Sequence, residues 1–265
     1  MEFFYFGAIT AFLCYIVATL TVVVRLFHPK GPHIISVLTI GCLAIIIHTL
    51  NTAHYLFNQE AINFSLPNVV SLVSLIITLT VTSLALRYKV NLLIPVTYAF
   101  AGVWQLIMVF MPQGHSAPLI SGGLPVISHV TLALIAYCVL VIATLFAFQV
   151  AYINMKLKSK NLAAVNHLPP LMQVENQLFI ILFIGTACLL LSQLTGFIFL
   201  ENFFSKENAH KLVLSMVALI CYITILWGHF KQGWRGHRVL MMTTIATGLL
   251  TLAYFGSRFV KEFLL

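Results

Sequence analysis

Runs of about 18 or more apolar residues recur along this chain from one end to the other, each long enough to cross a hydrocarbon core of about 30 Å. Backbone polar groups inside such a core must be satisfied within the segment, which selects helices. Pro, Gly and charged clusters interrupt the runs and place spans near 3–27, 34–57, 67–87, 92–112, 124–153, 178–200, 210–230 and 239–260. The expected fold is therefore all-α, a polytopic membrane bundle of about eight transmembrane helices forming a single domain over 1–265. Charged residues make up 8% of the chain, against roughly 25% in soluble domains, so no water-facing domain of any size fits beside the spans. The connections are short, and no internal repeat is convincing. The first span has neither a basic leader nor a cleavage site and is read as retained.

Loop charge fixes the orientation. One side carries Arg25, Lys30, Arg87, Lys89, Lys156, Lys158, Lys160, Lys231, Arg235 and Arg238, ten of the fourteen basic residues, with Glu175 as its one acid. The other side holds Lys206, Lys211, Arg258 and Lys261 among Glu2, Glu60, Glu201, Glu207 and Glu262. The basic side faces the cytoplasm, and both termini lie outside. The net charge of +8 thus reflects insertion rather than nucleic-acid binding; the implied partner is the lipid bilayer, and the location a bacterial inner (plasma) membrane. The longest inner connection, KLKSKNLAAVNHLPPLMQVENQLF, contains Pro169–Pro170, which should end a loop whose following residues lie along the membrane surface. Its lysines suit anionic lipid.

Five cysteines, Cys14, Cys42, Cys138, Cys188 and Cys221, stand singly in apolar segments, so dithiol exchange and zinc are disfavoured, and with no CxxCH the chain attaches no c-type haem to itself. Membrane-embedded ionisable groups are costly and mark function. There is no Asp and no Glu deep in a span, which disfavours a carrier built on a buried carboxylate, but there are ten histidines. Six of these, His28, His33, His115, His167, His210 and His237, fall in loops or at interfaces, where solvation is the default. His48 shares a helical face with Asn51 and Tyr55 and must point into the bundle. His54 lies about 120° away around that helix. His129 enters the fifth span from outside, with Ala133 and Ala136 on its face. His229 closes the seventh span, before KQGWRGHR.

Neutral imidazoles on opposing helices can clamp a haem iron; a hydrogen bond between helices is the plainer role. His48 lies nine residues inside its span, about 14 Å deep at 1.5 Å per residue, and His129 about five residues, roughly 8 Å. Tilt absorbs the difference, so these two are the preferred axial pair, with His54 an alternative partner for His129. His229 is near the opposite face and would serve a second site or bond a neighbouring helix. Copper or zinc fits less well, because no further His, Cys or carboxylate stands at ligand spacing.

The segments IIIHTLNTAHYLFNQEAINFSLPNVVSLVSL, SHVTLALIAY, LTGFIF, ILWGHF, GWRGHR and AYFG, in this order, resemble the cytochrome c assembly family of haem-handling membrane proteins, the CcsA, ResC and CcmC group, and within it a small branch of inner-membrane proteins. The resemblance covers nearly the whole chain. It implies that His129 is an outer-side haem ligand and that His229 matches a histidine that ligates a transmembrane haem in some members; His48 matches a second-helix histidine. The family's outer loop is rich in tryptophan with a Trp-Asp pair. Here FLENFFSKENAHKL has no Trp and no Asp, though Phe203 and Phe204 offer an apolar surface, and Ser257 and Arg258 stand where a second outer ligand histidine is expected. Arg258 could pair with a haem propionate or snorkel at the interface.

The reading that follows is a haem-b-binding membrane protein of haem handling, cytochrome complex assembly or electron transfer, with His48, His129, His229 and Arg258 as its cofactor-binding residues. Another membrane protein or an apocytochrome is the implied partner, although the altered outer loop argues against presentation of haem to the latter. No nucleophile–base pair, phosphate loop or carboxylate pair appears, so no enzyme is expected. The alternatives are a cofactor-free accessory subunit of another membrane protein, such as an ion transporter, and a permease, to which Asn51, Thr52, Gln105 and Gln193 give slight support.

Overall fold

The structure, a computed structural model, describes residues 2–26, 28, 31–57, 62–111, 123–160, 168–199 and 209–259. In chain order the helices are α1 (Glu2–Arg25), α2 (Ile34–Phe57), α3 (Leu66–Ala85), α4 (Leu93–Phe110), α5 (Gly123–Lys158), α6 (Leu171–Phe199), α7 (Ala209–Gln232) and α8 (His237–Thr251). A π-turn, Leu252–Gly256, and a last short helix, α9 (Ser257–Phe259), continue α8. Among the described residues there is no strand, and α1 to α8 are each long and apolar enough to cross a membrane, α8 together with its π-turn.

Two helices outrun their expected spans. α5 has 36 residues, about 54 Å at 1.5 Å per residue, and carries Lys156 and Lys158 past the hydrocarbon core on the basic side. α6 begins at Leu171, directly after Pro170, so the residues expected along the membrane surface are instead its first two turns. A proline just ahead of a helix removes a donor that the helix would leave unmatched anyway, and its polar successors Gln173, Glu175 and Asn176 extend the helix outside the core.

The chain divides into two compact units, Met1–Ile120 with Lys156–Pro169, and Ser121–Met155 with Pro170–Leu265. The first unit holds α1 to α4. There α1 packs against α2 and α4, and α3 against the same two, closing a ring of four. The buried face of α1 is Ala8, Ala11, Tyr15, Ala18 and Val22, whereas Phe6, Leu13, Leu20 and Val24 face outward. Tyr15 apart, the inside residues are small and the outside ones large, which suits lipid, where close van der Waals approach rather than water exclusion drives helices together. Gly41 on α2 shows how close: a Cβ there would collide with the Tyr98 hydroxyl of α4. At the outer end, the Asn68 amide donates to the carbonyls of Asn63 (3.2 Å) and Tyr55 (3.4 Å), tying the α2–α3 connection to the start of α3.

The second unit holds most of α5 together with α6, α7 and α8. α7 packs on both α6 and α8. Hydroxyls join the remaining faces: Thr247 of α8 meets Thr144 of α5 (2.6 Å) and Tyr222 of α7 (2.7 Å), and Tyr137 of α5 meets Thr251 of α8 (3.0 Å). The π-turn lays Tyr254 and Phe255 against Tyr137, with ring centroids 5.8 and 5.3 Å away.

Candidate functional site

The three intramembrane histidines stand in two kinds of surroundings. His48 is fully buried in the first unit. Its Nδ1 lies 3.1 Å from the Tyr15 hydroxyl of α1 and its Nε2 3.2 Å from the Ser71 hydroxyl of α3. Ser71 also accepts from the Gln105 amide (3.2 Å) and meets Thr52 (2.9 Å), while Asn51 donates to Gln105 (3.3 Å). A hydroxyl has one proton and two lone pairs. Gln105 takes one lone pair, so the remaining lone pair and the proton are shared between Thr52 and His48, and Ser71 is saturated. Further in, Thr82 meets the Tyr98 hydroxyl (2.9 Å), and the Tyr98 ring lies 5.4 Å from that of Tyr15. His48 is thus the hub of a closed polar core drawn from all four helices. Binding a metal would require it to give up one of its two buried hydrogen bonds, at about 1 kcal/mol.

His129 is half-buried at the outer end of α5 in the second unit. Its Nδ1 is 2.7 Å from the carbonyl oxygen of Ser192 on α6. A carbonyl only accepts, so Nδ1 carries the proton, and in the neutral ring the lone pair stands on Nε2. Ser192 returns a bond through its hydroxyl to the His129 carbonyl (3.3 Å), a clasp that fixes the ring's position between the helices.

His229 repeats this pattern at the inner end of the same unit. Its Nδ1 donates to the Trp234 carbonyl (3.2 Å), and its ring stacks on Phe179 of α6 with centroids 3.3 Å apart and planes 14° from parallel. The local sequence explains the hook. Gly233 has φ +65°, ends α7 and donates its N–H to the His229 carbonyl (3.1 Å); the Trp234 N–H then reaches Gly228 (3.1 Å). A Cβ at Gly228 would collide with the Trp234 indole, so only glycine lets the loop close.

The preferred axial pair of the sequence reading, His48 and His129, is divided between the two units, and His129 and His229 are brought into one. His54 stacks on Phe4 of α1, centroids 3.6 Å apart. Arg258 is half-buried in α9. Of the interface histidines, His28, His33, His210 and His237 are exposed; His115, His167, Phe203 and Phe204 lie outside the described residues. The sequence reading passed over Tyr15, Ser71, Phe179, Ser192 and Trp234. The spacing of Ser71, Ser74, Thr78 and Thr82 puts all four on one face of α3 and was the available signal for the polar core.

A haem ligand of histidine type needs a neutral ring with its proton on one nitrogen held by an acceptor and its lone pair on the other. His129 and His229 each have Nδ1 held by a backbone carbonyl. No group of three or more His, Cys, Asp or Glu suited to a bare metal ion occurs among the described residues.

Comparison with known proteins gives the family. Residues 36–265 match the family model described as Cytochrome C assembly protein. Inner membrane protein YpjD of Escherichia coli strain K12 is 38% identical over 258 residues, covering 96% of this chain and 97% of that protein, and its counterpart in Escherichia coli O157:H7 matches to the same extent. A 28.8 kDa protein in the nifR3-like 5′ region of Azospirillum brasilense is 30% identical over 161 residues, 58% of this chain and 59% of that protein. No solved structure matches.

Proposed function

From the premise that this chain belongs to the cytochrome c assembly family, whose membership supports a role in haem handling, we propose that it is a multi-pass inner-membrane protein that binds haem b through the second unit. The carrying observation is the shared design of His129 and His229: on each, a backbone carbonyl takes the Nδ1 proton and leaves Nε2 as the electron-pair donor. An acceptor on the other ring nitrogen of a ligand histidine typically changes metal affinity 10–100-fold. Haem bound at either histidine would supply a reversible one-electron centre. The residues named do the rest. Ser192 and Trp234 hold the rings in register, Phe179 keeps one face of His229 dry, and the hydroxyl contacts of Tyr137, Tyr222, Thr247 and Thr251 keep α5, α7 and α8 together between the two levels. The histidines stand at opposite ends of α5 and α7, which favours two separate sites, outer and inner, over one. Bilayer insertion is common to any reading; another membrane protein or an apocytochrome is the proposed partner.

Titration of the detergent-purified full chain with haem b, followed by the reduced-minus-oxidised spectrum, tests this. Sharp haem bands that saturate at a fixed ratio of haem to chain support it. A folded, colourless chain that takes up no added haem overturns it and favours a scaffold without cofactor.

A further inference from the structure

The hook between α7 and α8 gathers charge as well as orienting His229. Lys231, Arg235 and Arg238 follow one another across it, all three exposed, and the segment 231–238 contains no acid. Its backbone is fixed. Gly233 and Gly236, with φ of +65° and +64°, turn the chain. The Trp234 N–H donates to the Gly228 carbonyl (3.1 Å), its indole N–H donates to Gln232 (2.8 Å), and the Leu240 N–H reaches the Gly236 carbonyl (3.1 Å) as α8 begins. Three cations are thereby held on one short reversal of the chain. The acid beside them is Glu175 of α6, 12% exposed, which lies 3.9 Å from the Nε of Arg235. That contact is longer than a hydrogen bond and leaves the guanidinium its donors. Three cations against this one acid leave two positive charges. Below the cations, toward the membrane, the outward faces are apolar. Trp227 and Phe230 of α7 are exposed, with Ile223 further along, and so are Met241 and Ile245 of α8. Trp227 stands one turn from Lys231, and Met241 one turn from Arg238, so each apolar stripe ends in a cation on its own face.

We infer that the hook is a headgroup site for a phospholipid carrying two phosphates, with Lys231, Arg235 and Arg238 receiving the phosphates and the exposed stripes of α7 and α8 receiving the acyl chains. Charge matches, since two phosphates bring the two negative charges that the patch lacks. Shape matches as well: a guanidinium offers a phosphate two parallel N–H bonds, which an ammonium cannot. An exposed indole at this level belongs to the amphipathic layer where headgroups meet hydrocarbon. Lys158 and Lys160, at and just beyond the end of α5, are exposed too and attract anionic lipid by charge alone. The hook differs from them in having guanidinium groups on a fixed turn above an aromatic, apolar face. Lipid binding here needs no haem.

The test strips the full-length chain of lipid in detergent and titrates it with cardiolipin as the diphosphate lipid, with phosphatidylglycerol at equal total phosphate, and with soluble pyrophosphate. Lipid bound per chain is read from the mass of the intact complex. Cardiolipin should bind about tenfold or more tightly than phosphatidylglycerol, the gain from joining two phosphates in one molecule, and pyrophosphate should not displace it. Arg235→Gln combined with Arg238→Gln should weaken cardiolipin about 25-fold, at about fivefold for each basic residue near an anionic headgroup. Lys158→Gln combined with Lys160→Gln removes the same charge from the same side and should leave cardiolipin binding unchanged. Equal losses from the two double variants would mean diffuse attraction to a basic surface and overturn the site. Equal affinity for the two lipids overturns the match to two phosphates. Displacement of cardiolipin by pyrophosphate overturns the lipid as occupant and leaves a site for a free diphosphate.

Discussion

His48 in the first unit and His229 in the second are both intramembrane histidines near aromatic rings, yet their bonding separates them. His48 meets two hydroxyls, groups able to donate or accept, and either ring nitrogen can carry its proton. His229 meets a carbonyl, which can only accept, and its tautomer is fixed. The first arrangement closes a polar core on itself; the second leaves a defined lone pair. At His129 too, Nδ1 meets a backbone carbonyl, with the Ser192 hydroxyl at a longer 3.4 Å. A histidine in a membrane is therefore not one signal but two, told apart by whether its partner is ambivalent or obligate.

The largest effect should come from the ligands themselves. His129→Ala and His229→Ala should each weaken haem binding at their own end by about a hundredfold or more, since even loss of the group that holds a ligand histidine reaches that range. Haem per folded chain, measured by difference spectrum, would show it, with little change in the melting of the haem-free protein. His48→Ala should do the reverse: it empties a filled site and removes the bonds His48 makes to the Tyr15 and Ser71 hydroxyls, lowering stability by about 2 kcal/mol. Thermal or denaturant unfolding in detergent reads that loss, and an unchanged melting curve would break the comparison from the first unit's side.

Smaller changes sharpen it. Gly233→Ala puts a Cβ on a residue with positive φ, at about 1 kcal/mol of strain, and loosens the hook over His229. Haem affinity at the inner site should fall about tenfold, the upper part of what one kilocalorie and a disturbed ring allow. The outer site should not respond, which His229→Ala as background would confirm. Tyr15→Phe should be the mildest, about 0.6 kcal/mol, the average for a single hydrogen bond between membrane helices, read again in the unfolding midpoint with haem content unchanged.

Much of the fold was legible because a membrane leaves few options. Long apolar runs placed the eight spans. The start of α6 was not legible: Gln173, Glu175 and Asn176 read as a surface segment, although a helix can extend past the core once Pro170 has started it. The site was legible only as a set of histidines. Depth from a helix end suggested His48 and His129 as a pair, and the two stand in different units. The partners that distinguish His129 and His229 are backbone carbonyls of Ser192 and Trp234, and a carbonyl leaves no mark in a sequence. Gly233 and Gly236 around Trp234 and Arg235 did leave one, since positive φ favours glycine.

The division of labour between the units is tested most directly by the reduced-minus-oxidised spectrum of His48→Ala, recorded per folded chain beside the parent protein. The account predicts the parent's haem bands at unchanged intensity from a less stable protein. Loss of a haem band from a His48→Ala chain that remains folded would contradict it and make His48 a ligand.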